Sequence, residues 1–396
     1  MLSPNSNRAV RVLQLVPTLQ RRGIEKVVCG IALELHGHGY EIDVCCQRAK
    51  GPLEAALRDS GVRVYCLGEK GVRDPLAAWR LLGILRSGQY DVLHLHCPVE
   101  AGYHLPIAWL ARVPRLICTF HSTPGLPAPP AMHVKAWMRR RFATFMSHRV
   151  DWVYACSAAV LESQQQSGWH SCNSSVIYNG IDLTQLCLRA DNTGAKAALG
   201  FSVGAQVIGS VGSLCEQKGQ SHLIRCLPLI RRRIPDACLL LVGSGPDGPN
   251  LAELARELGC GEAVRFVGER DDVVACIHAM DVFAFPSIAE GFGLALVEAM
   301  ACGVCVVASA AGGIPEVVAD GVSGLLVPPG DHAALAAAIL RLLTDCELAQ
   351  RVSANAIRVV SDSFGIEKMA SQVSDLYQRL LKDRLATRAV PPDVAG

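Results

Sequence analysis

The sequence predicts an α/β protein of two doubly wound halves, and three observations carry that prediction. Short apolar runs alternate with longer stretches of helical periodicity along most of the chain. The runs are continuous rather than alternating, as parallel strands covered on both faces require. The whole scheme occurs twice in 396 residues, a length beyond one ordinary domain of roughly 100 to 200 residues.

Taken in order, the expected strands of the first half are "VRVLQLV" (10–16), "EIDVCC", "VRVYCL", "DVLHLH", "RLICTF", "WVYAC" and "SVIYN". Between them run helical stretches such as 76–85, where Leu81, Leu82 and Leu85 recur at helical spacing. Residues 179–205 lose strand character and gain Gly, Asn and Asp, which marks a linker. The second half repeats the scheme with "AQVIGSVG", "ACLLLVG", "AVRFVG", "DVFAFP", "VCVVAS" and "SGLLVP". The stretch 365–385 is amphipathic, with Met369, Val373, Leu376, Leu380 and Leu381 on one side, and is expected to pack onto a domain rather than form one. Residues 386–396 read as a disordered tail. Two such halves are expected to bind a ligand in a cleft facing the carboxyl ends of their strands.

Composition narrows the function. Half the residues are apolar and 19% charged, which suits a globular protein, and 38 basic against 36 acidic residues leaves 38 − 36 = +2, with nothing to imply nucleic acid. The 17 cysteines are scattered through apolar runs from Cys29 to Cys346, as buried free thiols in a reducing cytoplasm would be. The pair Cys302 and Cys305 has C-x-x-C spacing, suited to redox chemistry or half a metal site, but it bridges a helix end and a buried strand with no second Cys/His pair nearby, which favours packing. The apolar run near the N-terminus is too short for a signal peptide, and no segment reaches the roughly 18 apolar residues of a membrane span. A soluble or peripheral protein is expected.

The stretch "AEGFGLALVEAMACG" (289–303) raises the chemical question. It reads as a loop feeding a helix that starts near Leu294, so the amides of Gly291, Phe292, Gly293 and Leu294 lie at a helix N-terminus, where free N–H groups and the dipole favour an anion. Glu290 precedes that site and Glu298 lies one turn into the helix. On spacing alone these are a capping and a solvated glutamate, or two carboxylates that accept from pairs of hydroxyls.

Glu290 and Glu298 occur with "GSLCEQKG" (212–219), "VGSGPD" (242–247), "GGIPEVV" (312–318), "VIYNGID" (176–182) and "RRGIEKVV" (21–28). In that combination and order the chain resembles the retaining family-4 glycosyltransferases (glycosyl transferases group 1), from about Val10 to Leu381. The resemblance implies the GT-B fold, two Rossmann-like doubly wound domains facing across a cleft. Residues 1–185 would form the acceptor-side domain, 186–362 the nucleotide-sugar-binding domain, and 363–396 a helix packing back on the first domain plus a flexible tail.

Carried over by position, Glu298 resembles the glutamate that binds the ribose hydroxyls, and Glu290 the one that meets a hydroxyl of the transferred sugar. The Gly291-Phe292-Gly293-Leu294 amides resemble diphosphate and sugar contacts, and Lys218 the lysine that neutralises the diphosphate. His121, at the end of "RLICTF", matches the strand-end histidine that faces the donor sugar. The expected catalytic group is therefore His121, Glu290 and Lys218, with Gly23 and Ser213 also on the donor. The resemblance implies no metal and no cofactor, the nucleotide-sugar being a co-substrate. His96 is divided evenly between a structural and a functional role, and a metal site from His94, His96 and His121 is disfavoured.

Three positions depart from the pattern. Ser213 stands where Arg is usual, which removes a forked cation from the diphosphate. Arg22-Gly23 replaces a Gly-Gly pair, keeping the close turn and adding a charge. Cys305 replaces Pro. The segment 132–150 has five Lys/Arg, no acid and an apolar stripe through Val134, Met138, Phe142 and Phe145, which fits either a packed helix with a solvated basic face or contact with an anionic membrane. The expectation is a retaining, metal-independent transfer of sugar from a UDP- or GDP-sugar to a saccharide or lipid-linked acceptor, in bacterial cell-surface polysaccharide assembly (lipopolysaccharide or exopolysaccharide), in the cytoplasm or at the inner face of the plasma membrane. Against it stand a sugar-nucleotide epimerase or hydrolase on the same fold, and a non-catalytic sugar-nucleotide binder.

Overall fold

The computed structural model of the chain describes residues 8–71, 74–96, 98–122, 141, 144–145, 147–169, 173–185, 192–202 and 204–388, excepting the side chains of 98–103, 185 and 383–388. Two compact units result: residues up to Gly180 together with those from Ile366 onward, and Ile181–Gly365.

The first unit runs β1 (Val10–Thr18), α1 (Gly23–Leu35), β2 (Tyr40–Ala49), α2 (Leu53–Asp59), β3 (Val64–Cys66), α3 (Pro75–Gly88), β4 (Val92–Leu95), α4 (Pro98–Leu110), β5 (Arg115–Phe120), β6 (Trp152–Ala155), α5 (Ala158–Gln166) and β7 (Ser174–Val176). Its seven strands are all parallel, in the order β3-β2-β1-β4-β5-β6-β7. Every residue of β4 and β6 is buried, which is why these strands read as continuous apolar runs. The helices start where local chemistry allows. At α3, Asp74 accepts from the amides of Leu76 and Ala77, and Pro75 fills the first helical position.

The second unit runs α6 (Asn192–Ala198), β8 (Gln206–Val211), α7 (Gln220–Arg231), β9 (Ala237–Val242), α8 (Gly248–Glu257), β10 (Val264–Phe266), α9 (Val273–His278), β11 (Val282–Phe285), α10 (Leu294–Ala301), β12 (Cys305–Ser309), α11 (Ile314–Val317), β13 (Leu325–Val327), α12 (His332–Thr344) and α13 (Cys346–Ser363). Its six strands are again parallel, ordered β10-β9-β8-β11-β12-β13. The core forms where α7 and α12 cover the sheet, around Ile208, Leu227, Ile230, Leu239, Val307 and Ile339.

The chain then returns to the first unit as α14 (Ile366–Arg388), which packs on α1. Met369, Val373, Leu376 and Leu380 are buried along one stripe. Polar contacts fix its register: Tyr40 Oη lies 2.7 Å from Ser374 Oγ, and Arg115 Nε donates to the Leu380 carbonyl at 2.8 Å.

Two expectations need correction. The stretch 179–205 is not a bare linker: it contains α6, whose Lys196 donates to Asp281 across the unit and so holds the helix in place. α14 continues to Arg388, past the start of the expected tail at 386. Most of the basic segment 132–150 falls outside the described residues. Cys302 and Cys305 are buried free thiols, with Cys305 Sγ against the Asp281 carbonyl at 3.2 Å, a packing arrangement.

Candidate active site

β8 and β11 are neighbours at the point where the strand order of the second sheet reverses. Loops leaving adjacent strands there diverge to opposite faces and open a crevice at the carboxyl edge. One loop follows β8 into α7 and the other follows β11 into α10. The two are tied together by Ile288 N donating to the Gln217 carbonyl at 2.9 Å and Gln217 Nε2 donating to the Ala289 carbonyl at 3.1 Å.

Two glycines permit this closeness. A β-carbon on Gly219, at φ 68°, would lie 2.1 Å from the Pro286 carbonyl oxygen. One on Gly312, at φ 53°, would lie 2.0 Å from the Glu290 carbonyl oxygen. That same oxygen accepts from Gly313 N at 3.1 Å, so the backbone of Glu290 is held by the loop after β12.

The side chains then meet. Lys218 Nζ lies 2.5 Å from Glu290 Oε2, and Ser287 Oγ lies 3.4 Å from the same oxygen. The lysine and glutamate side chains are only 26% and 13% exposed, so water screens their attraction less than it screens a surface pair. Lys218 Nζ is also 5.4 Å from the centre of the Phe285 ring.

α10 begins at Leu294, as the sequence predicts, behind Gly293 at φ 92°, whose carbonyl accepts from Leu296 N and Val297 N. The first amides of a helix have no acceptor within it and carry the positive end of its dipole. α7 opens in the same way behind Gly219. Two helix N-termini and one ammonium thus occupy neighbouring loops at one sheet edge, an arrangement suited to an anion. Phe292 is 2% exposed with its ring against Phe364, 5.3 Å between centres, so its side chain packs rather than faces a ligand. Glu298 is half-buried one turn into α10. Ser213 is exposed, and its carbonyl accepts from Gln220 Nε2 at 2.9 Å.

In the first unit, Gly23 is exposed at the start of α1, where Thr18 Oγ1 donates to Glu25 at 2.6 Å across the turn. The carboxyl edge of β4 and β5 gathers three histidines. His94 is engaged on both nitrogens, by Tyr377 Oη at 2.7 Å and Thr119 Oγ1 at 2.6 Å. His96 Nδ1 lies 3.1 Å from His121 Nε2. Burial pushes His94 down to about 3, His96 well below its ordinary value and His121 down to about 4, the last against an opposing pull from Asn179. All three are neutral at pH 7. Among the described residues no group of three or more His, Cys, Asp or Glu is placed to hold a metal ion.

The sequence names Lys218 and Glu290 but not Gln217 and Ser287, which support their loops, nor Asn179, which acts on His121 in the first unit. Asn179 stands in the quoted "VIYNGID" and Gln217 in the quoted "GSLCEQKG", so a signal existed for both; Ser287 acts through a 3.4 Å hydroxyl contact that none of the quoted motifs includes.

Residues 21–185 match the profile of "Glycosyltransferase Family 4" and residues 191–359 that of "Glycosyl transferases group 1". The D-inositol 3-phosphate glycosyltransferase of Corynebacterium urealyticum is 30% identical, over 90% of this chain and 91% of its own. The N-acetyl-alpha-D-glucosaminyl L-malate synthase of Bacillus anthracis is 28% identical over 81% and 83% respectively. Among solved structures, Anabaena HepE in complex with UDP and glucose superposes with a TM-score of 0.81 at 24% identity, over 93% of this chain and all of that one.

Proposed function

The chain belongs to the family-4 glycosyltransferases of GT-B fold, and from that premise we propose that it transfers a sugar from a UDP- or GDP-sugar to a saccharide or lipid-linked acceptor, with retention of configuration and without a metal ion. The observation that carries this reading is the Lys218–Glu290 pair, 2.5 Å apart between two helix N-termini.

In the free protein Glu290 is the counter-ion of Lys218. With a donor bound, we assign the ammonium to the diphosphate and the carboxylate to a hydroxyl of the transferred sugar, so each ion exchanges one partner for another. The opening amides of α7 and α10 add fixed positive potential for the same diphosphate. As the bond from the anomeric carbon to phosphate breaks, charge builds on the leaving oxygen, and donors already in place lower that barrier without reorganising. This positive charge makes a metal unnecessary for the same task. The acceptor oxygen attacks on the face the leaving group departs from, and its proton passes to the leaving phosphate oxygen. Glu298 is assigned to the ribose hydroxyls. In the first unit, the neutral His121 is assigned to hydrogen-bond a substrate hydroxyl.

For the acceptor, bacterial cell-surface polysaccharide assembly is the proposed setting, in the cytoplasm or at the inner face of the membrane, with the 132–150 segment as the membrane contact. The relatives named for L-malate and D-inositol 3-phosphate put small hydroxylated anions beside saccharides in an acceptor screen. The test is a thermal-shift screen of UDP-, GDP- and ADP-sugars. A donor that binds the folded state raises its apparent stability by about 2.7 kcal/mol at 100 times its Kd. No shift with any of them overturns the reading.

A further inference from the structure

The three histidines of the first unit are more than a buried cluster. His94, 0% exposed, has both ring nitrogens hydrogen-bonded, to Tyr377 from α14 and to Thr119 from β5. Its ring is therefore fixed from two elements. The His96 ring lies against it, 4.0 Å between centres, and is itself 1% exposed. From there His96 Nδ1 reaches His121 Nε2 at 3.1 Å, the two rings nearly parallel at 22°. Among the described residues, His96 Nε2 and His121 Nδ1 are buried with no partner in hydrogen-bond geometry.

A neutral imidazole carries one N–H and one lone pair. A hydrogen bond between two ring nitrogens uses one of each. If His96 Nδ1 donates, His121 Nε2 is the acceptor, and the His121 proton must sit on Nδ1. If His121 Nε2 donates, its Nδ1 is a bare lone pair. Either way the His121 tautomer is tied to that of His96, and the outer ends of the pair always offer one donor and one acceptor. A hydroxyl group both donates and accepts, so either arrangement can serve it at Nδ1, and the bond to His96 keeps His121 from switching unless His96 switches with it.

We propose that His96 is a positioning residue that locks His121 in a single tautomer, so that Nδ1 meets a substrate hydroxyl with a defined hydrogen-bonding sense, and that Tyr377 and Thr119 hold the His94 ring against which His96 rests. The consequence for turnover rests on the transferase reading above; the tautomer lock does not. Tyr377 gives the returning helix a share in this arrangement.

The test uses the full chain with 15N-labelled histidine and long-range 1H–15N spectra at pH 7, the His121 signals being identified by their loss in His121→Gln. The wild-type His121 ring is expected as one neutral tautomer, and His96→Leu is expected to give averaged ring shifts at an unchanged fold. His96→Asn places an amide where Nδ1 was and is expected to restore a single form. With the UDP- or GDP-sugar selected by thermal shift, His96→Leu should lower kcat about 10- to 100-fold with donor KM within twofold, and Asn should recover most of it. An averaging ring in the wild type overturns the proposal even if the Leu variant does not fold. So does a single tautomer that persists in His96→Leu, which would give the role to Asn179, or a Leu variant with wild-type kcat. A wild type that transfers from no UDP-, GDP- or ADP-sugar overturns the transferase reading instead.

Discussion

Lys218 and Glu290 are separated by 72 positions and meet because β8 and β11 are neighbours. Removing one partner leaves a half-buried charge unpaired, whereas removing both leaves none. Lys218→Ala and Glu290→Gln are therefore each predicted to lower stability by about 1–3 kcal/mol, and the double variant by clearly less than their sum. Urea unfolding of the four proteins measures this; additive effects would show that the pair is not coupled. Donor affinity should fall with Lys218→Ala, and Glu298→Ala should weaken it roughly 10- to 100-fold, as loss of a hydrogen bond between a charged group and a hydroxyl does. Undiminished donor binding in Glu298→Ala, by calorimetry, would remove the ribose assignment. Both charged residues were legible in the sequence because a glycine turn and a short lysine motif mark them. Their pairing was not, since it depends on strand order, which residue spacing along the chain does not encode. The side-chain burial of Phe292 was hidden for a related reason: the turn marks its backbone, while its packing partner Phe364 is supplied from the end of α13.

At the scale of elements, the loops of the second sheet are held by glycines rather than by side chains. Gly312→Ala would push a β-carbon into the Glu290 carbonyl from a left-handed backbone. We predict a loss of about 1–3 kcal/mol together with weakened donor binding, although residue 312 need not touch the donor; unchanged thermal stability and affinity would contradict it. In the first sheet the strained quantity is protonation. His94, His96 and His121 resist protons that the unfolded chain takes up below about pH 6.5, so acid favours unfolding. Stability is predicted to fall from pH 6.5 towards 4 by about 1.4 kcal/mol per pH unit for each such histidine, and His121→Asn should flatten that slope between pH 6.5 and 5. An equal slope in the variant would contradict the shift. The strands were legible because burial on both faces makes each a continuous apolar run. α6 was not, because Asn192–Ala198 is short and weakly apolar and is held by Lys196 on Asp281 rather than by a hydrophobic stripe.

Over the whole molecule, two parallel sheets with the same winding carry different equipment at their carboxyl edges. The second has an ion pair and two helix N-termini, and the first has neutral histidines backed by the returning helix α14. The return of α14 was foreshadowed by its apolar stripe, but the polar contacts that lock it, Tyr377 on His94 and Ser374 on Tyr40, join residues far apart in sequence and had no local signal. Among the described residues no helix is long and apolar enough to cross a membrane. Membrane contact through 132–150 predicts flotation with vesicles rich in anionic phospholipid and loss of flotation at high salt; no flotation at low salt would end that proposal. The central claim is sugar transfer through the Lys218–Glu290 site, and it is tested most directly by following nucleotide release from UDP-, GDP- and ADP-sugars with and without a panel of acceptors, in the wild type and in Lys218→Ala. The account predicts release that depends on acceptor, a glycoside of retained configuration, and a loss of at least 100-fold in the variant. Rapid donor consumption with no acceptor present, or full transfer by Lys218→Ala, would contradict it.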